Sequence, residues 1–214
     1  MTAQRNNCPE WEYETFPNSG DILTKRAKRL LATLRNSDPD EKIFLVSDTR
    51  PSHASYFDGL TPPGHSYYAG HYRGEPYPCL KGYEVGISLD PLVGHLALTV
   101  PQEMVQFSSK ISTAVGVLDS ANNNPNTVIT PKQKFIRAVQ VTVALFVYFL
   151  EIHPYANGNG HVARFLLIGI LSRYGFHLSR WPIHPHPDPP YSDLISQYRR
   201  GNQAPLEVFV LRHI

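Results

Sequence analysis

The sequence predicts a mainly α-helical protein, and three observations carry that expectation. Several segments place apolar residues at helical spacing. One of them, from Thr130 to about Ile152, has both a sharp start signal and apolar residues on nearly every side. Strand signals are confined to one short stretch rich in Tyr and Gly, between Tyr67 and Leu89.

Taken in order, residues 1–20 mix Pro, Asn and Gly and read as an irregular arm. Asp21 is placed to cap a helix from Ile22 to about Asn36, with Ile22, Ala27, Leu30, Leu31 and Leu34 on one face. Ser37-Asp38-Pro39-Asp40 breaks it, and Lys42 to Ser47 suits a strand or a helix equally. Residues 51–66 carry Pro, Gly and Ser and read as loop. Lys81-Gly82-Tyr83, flanked by Cys79-Leu80 and Glu84-Val85, predicts a small hairpin. Pro101 to Leu118 predicts a helix faced by Met104, Val105, Phe107, Ile111, Val115 and Leu118, followed by a loop at Ala121–Asn126. Thr130, Pro131 and Gln133 then combine a cap, a first-turn proline and a capping box. A second buried helix spans His161 to Tyr174 and stops at Gly175. Trp181 to Pro190 is a proline-rich loop, and closing helices follow at Tyr191–Arg200 and Leu206–Leu211.

The 214 residues, 42% hydrophobic, suffice for one core, with residues 1–64 packed as arm and helices on residues 65–214. A net charge of +2 gives no strong basic field, so nucleic acid is not an expected partner. The longest apolar stretch, Ala138 to Leu150, holds Gln140 and Thr142 and is short for a bilayer, so no membrane is expected either. Cys8 and Cys79 argue against a disulfide scaffold and suit a reducing cytoplasm, leaving room for a single bridge. The first 20 residues contain no apolar run of signal-peptide type, so the expected compartment is cytoplasmic, with export by a route needing no cleavable signal left open. His184 and His186 sit among prolines without an acidic or cysteine cluster, which favours a solvated loop over a metal site.

One string carries chemistry. His153 ends one apolar helix, and Gly158-Asn159-Gly160 opens the next. The first turn of a helix leaves main-chain N–H groups unpaired and favours negative charge. Glycines there let a phosphate approach closely. Arg164 lies one helical turn after Gly160, so its guanidinium can return to the same anion. His153 titrates in the range a general base requires.

The string His153-Pro154-Tyr155-Ala156-Asn157-Gly158-Asn159-Gly160-His161-Val162-Ala163-Arg164 resembles the signature of the Fic family, His-Pro-Phe-x-Asp/Glu/Asn-Gly-Asn-Gly-Arg-x-x-Arg. His161 stands where the family has its first arginine, and Tyr155 replaces Phe. Gly70-His71-Tyr72-Arg73 looks like the segment that leads into the family's target-docking flap. Tyr191, Arg200-Gly201-Asn202 and Pro205-Leu206 resemble its closing helices, so the likeness covers about residues 65–214. It implies a Fic-type helical core with a small β-hairpin flap, and transfer of AMP from ATP to a hydroxyl of a target protein.

On that resemblance His153 is the catalytic base, and Gly158, Asn159, Gly160, His161, Arg164 and Tyr191 serve the nucleotide and its phosphates. Asn157 faces magnesium, offering one amide oxygen where a carboxylate would add charge. Leu80, Lys81, Gly82 and Tyr83 form the docking flap, aligning a target strand by backbone addition. Tyr155 is the aromatic that packs inward. His161 substitutes a shorter, mostly neutral ring for an arginine fork, which weakens one phosphate contact. Kinase-like transfer of the terminal phosphate, and binding of nucleotide or partner without turnover, are the alternatives. The family's self-blocking motif is matched only loosely at Ser37–Glu41 and Thr99–Glu103 and reads as absent, so control would come from a separate inhibitor protein or the His161 change already makes the site weak.

Overall fold

The computed structural model describes residues 8–86, 90–124, 128–177 and 186–214. Eight α-helices are present among them: α1 (Ser19–Asn36), α2 (Pro39–Ser47), α3 (Arg50–Phe57), α4 (Val100–Asn123), α5 (Pro131–Ile152), α6 (Asn159–Arg173), α7 (Tyr191–Arg199) and α8 (Ala204–Leu211).

Helix α5 is the axis, and its sequence explains why. Thr130 and Gln133 form the expected reciprocal capping box with Pro131 in the first turn. Ala138, Val139, Val143, Phe146, Phe149 and Ile152 are then wholly buried. A helix apolar on so many sides needs neighbours around it, and α4, α6, α7 and α8 supply them. By length and composition α5 would also pass as a membrane span, but its apolar surface is spent on this core. Helix α6 is enclosed in turn, with α1, α2 and α3 on its other side. One hydrophobic cluster runs from Trp11 to Val210, drawing on both sides of residue 64.

Several expectations change in the amino-terminal third. Helix α1 begins at Ser19 with Asn18 in the left-handed region, so Asp21 belongs to the first turn instead of capping it. The ambiguous stretch before Ser47 is helical, because Asp38 and Glu41 make a second capping box around Pro39. Residues 51–57, read as the start of a loop, belong to α3. Pro51 in its first turn is a helix starter there, and Ser52, His53, Tyr56 and Phe57 make its buried face. Helix α4 outlasts its expected end and reaches Asn123. Trp181 to His184 and Pro185 lie outside the described residues.

The hairpin expected around residues 80–83 is not formed among the described residues. Residues 74–83 fold as successive turns, with Gly74 N–H donating to Leu80 O (2.7 Å) and Tyr83 N–H to Leu80 O (3.1 Å). Pro76 and Pro78 have no N–H to give a ladder, which favours this outcome. The two cysteines are joined: a Cys8–Cys79 disulfide ties the arm to these turns across 71 positions of sequence.

Candidate functional site

The segment from His153 to Gly160 crosses from α5 to α6 in the middle of this packing. His153 ends α5 in the left-handed conformation (φ 53°, ψ 61°), unusual for a residue with a Cβ. Its N–H reaches Phe149 O (3.0 Å), and its own carbonyl accepts from Arg73 Nε (2.8 Å). The imidazole Nδ1 faces Leu150 O at 3.4 Å. A carbonyl only accepts, so Nδ1 carries the proton and Nε2 presents a lone pair. Burial, with Arg73 and Arg199 nearby, lowers the His153 pKa to about 4, so the ring is neutral at pH 7. The residue is half-buried, leaving part of its surface open.

Tyr155 does pack inward. It is fully buried and stacks on His53 with ring centroids 3.7 Å apart. A tyrosine there needs a partner for its hydroxyl, and Thr49 Oγ1 supplies one at 2.7 Å. His53, on α3, accepts from Gly70 N–H through Nδ1 (2.8 Å) and so donates from Nε2 to Asn157 O (3.0 Å). Its burial pushes its pKa down to about 3, which keeps that tautomer neutral. His53 thereby links the motif to the Gly70–Arg73 segment, a role with no local signal in the sequence.

The glycines make a tight turn into α6. Gly158 caps α6 with φ 79°. A side chain there would be strained and would also meet Phe57, whose Cε2 lies 2.2 Å from the place of a Cβ. Asn159 is buried and clips the loop, accepting from Tyr155 N–H and donating to Tyr155 O, both at 2.9 Å. Among the described residues, the N–H groups of Asn159 and Gly160 meet no acceptor, as expected of a first turn. Arg164 folds back over Gly160, with Nη1 3.0 Å from where a Cβ would sit. Arg164 is only 4% exposed, and its charge acts on the phenols of Tyr13, Tyr56 and Tyr191. Tyr191, buried at the start of α7, thus belongs to the same cluster.

Two expected site residues are committed elsewhere. The Asn157 amide donates to Trp11 O (2.8 Å) and accepts from Gly158 N–H (2.7 Å). Its second oxygen lone pair remains for a cation, a single neutral ligand. No group of three His, Cys, Asp or Glu suited to a metal occurs among the described residues. His161 is packed among Tyr13, Tyr56 and Phe57, with centroids 5.6–5.8 Å away, as an aromatic core member. Its N–H goes to Gly158 O (3.1 Å). The arm therefore lies over this end of the motif, a placement the sequence did not signal.

In the flap segment, Lys81 and Gly82 are exposed and Tyr83 is half-buried, whereas Leu80 is fully buried and so unavailable to a target. The two loose inhibitory matches have other duties: Glu41 closes the capping box of α2, and Glu103 pairs with His95. His186 bonds its own neighbour, Pro187 O. Comparison with known proteins finds no matching family model, no similar curated protein and no similar solved structure.

Proposed function

We propose that this chain is a Fic-type protein adenylyltransferase that moves AMP from ATP to a hydroxyl side chain of another protein. The observation that supports it best is the nearness in sequence of a neutral imidazole, two N–H groups with no main-chain acceptor at a helix start, and an arginine folded back on Gly160. In this reading His153 Nε2 takes the proton of the target hydroxyl. The hydroxyl oxygen attacks the α-phosphorus, and the bond to the leaving pyrophosphate breaks. Arg164 and the N–H groups of Asn159 and Gly160 stabilise the charge on the phosphates. Asn157 Oδ1 would offer its remaining lone pair to the magnesium that ATP brings. Lys81 and Gly82, exposed in the flap turns, offer a surface for the target to dock against.

Incubation with α-labelled ATP and candidate target proteins tests this. Label transfer by the wild type, abolished in His153→Ala, is the expected result. Equal transfer by both proteins overturns the role of His153, and label transferred only from the γ-position identifies a kinase-like reaction instead. A specific observation favours the non-catalytic alternative: Asn157 and His161 are engaged by the arm. Calorimetric ATP binding with no modified product would establish that case.

A further inference from the structure

Arg73 has the largest of the fully buried side chains, at 0% exposure. An ionised guanidinium out of water needs acceptors for its donors, and Arg73 obtains them from main-chain carbonyls. Nε donates to His153 O (2.8 Å), Nη1 to Tyr83 O (2.9 Å), and Nη2 to both His95 O and Ile152 O (3.0 Å each). Its own N–H donates to Pro154 O (2.8 Å). Glu84, the nearest carboxylate, is 3.8 Å away and half-exposed. The acceptors come from three segments: the end of α5 with the residues after it, the flap turns, and the loop before α4. One planar fork sets their spacing.

This bears directly on His153. Its left-handed backbone is a conformation that disfavours a Cβ by about 1–2 kcal/mol and persists where surroundings fix it. The Arg73 Nε bond holds the carbonyl of that residue, and the Ile152 and Pro154 bonds hold the peptides on either side. The same fork grips Tyr83, in the segment proposed to dock the target. We propose that Arg73 is a positioning residue that fixes the His153 imidazole relative to the flap. The inference rests on the reading of His153 as the base. The charge of Arg73 also acts on the His153 ring together with that of Arg199, which is itself paired with Asp90.

The full-length protein, Arg73→Lys and Arg73→Met should be compared by label transfer and by NMR titration of the His153 ring from about pH 2.5 to 8. In Arg73→Met the His153 midpoint is expected to rise by about 1 unit as a like charge is lost. In Arg73→Lys it should stay near the wild-type value, because charge is kept. Transfer should fall about 100-fold in both, because neither side chain can hold all four carbonyls. A His153 midpoint unchanged in Arg73→Met, or wild-type transfer by Arg73→Lys, overturns the proposal. Should Arg73→Met not fold, exchange of the Arg73 Nε proton in the wild type decides: slow exchange supports the fork, and exchange as fast as an exposed arginine sinks it. The titration and the exchange need no turnover, so a wild type that transfers nothing would defeat the adenylyltransferase reading alone.

Discussion

The two ends of the His153–Gly160 loop are held in opposite ways. At the histidine end, main-chain groups are satisfied by the buried Arg73, and the half-buried imidazole meets Leu150 O through Nδ1. At the glycine end, the Asn157 amide is taken by Trp11 O, and Phe57 fills the space a Cβ at Gly158 would need. Under the function proposed above, a base held from behind would stay available, whereas the glycine end would be reached only past the arm that bonds the Asn157 amide. The difference teaches that a short motif can set chemistry at one end and leave access at the other to a distant segment.

The largest effect expected is at the histidine end. His153→Ala should lower transfer by about 10²–10⁴, the usual contribution of a positioned base, while melting close to the wild type. Single-turnover assays with calorimetry would check both parts, and a variant that loses transfer only by unfolding would blur the contrast between the ends.

Separating the cysteines should act on the glycine end. In the chain-entropy view, a bridge across 71 positions contributes about 4 kcal/mol, so Cys8→Ser with Cys79→Ser should melt earlier. Hydrogen exchange should quicken at residues 157–161 more than at residues 150–153, and ATP should bind more tightly. Equal quickening at both ends would break the comparison. Gly158→Ala, strained at φ 79° and crowded by Phe57, should destabilise by about 3 kcal/mol in urea titrations.

The smallest effect concerns pH. His53 and His153 have folded pKa values of about 3 and 4, below the usual 6.5. The unfolded chain therefore binds protons first, and stability is full above pH 6.5 and falls as pH drops through that window. By pH 5 the loss from His53 is about 2 kcal/mol, with less from the half-open His153. Melting temperatures across pH 5–8 would show it, and His53→Gln should flatten the profile.

How much was legible follows from how local each signal is. The capping box at Thr130, the apolar girth of α5 and the turn at Gly158 are all set by neighbours within four residues, and the structure has each of them. The fold of Arg164 over Gly160 is a one-turn relation, readable for the same reason. The hairpin misread arose because Tyr and Gly suggest strand while Pro76, Pro78 and the pull of Arg73 on Tyr83 favour turns. Helix α3 was hidden by a proline that starts a helix as readily as it breaks one.

By itself the sequence determined the mainly helical class, the central helix and the order of chemical groups from His153 to Arg164, since these depend on spacing along the chain. Only the tertiary structure decided that Arg73 grips His153, that His53 bridges Gly70 and Asn157, and that Trp11 and Tyr13 cover the glycine end. Those contacts join residues roughly 17 to 150 positions apart, and buried polar groups find such partners only once burial removes water as the alternative.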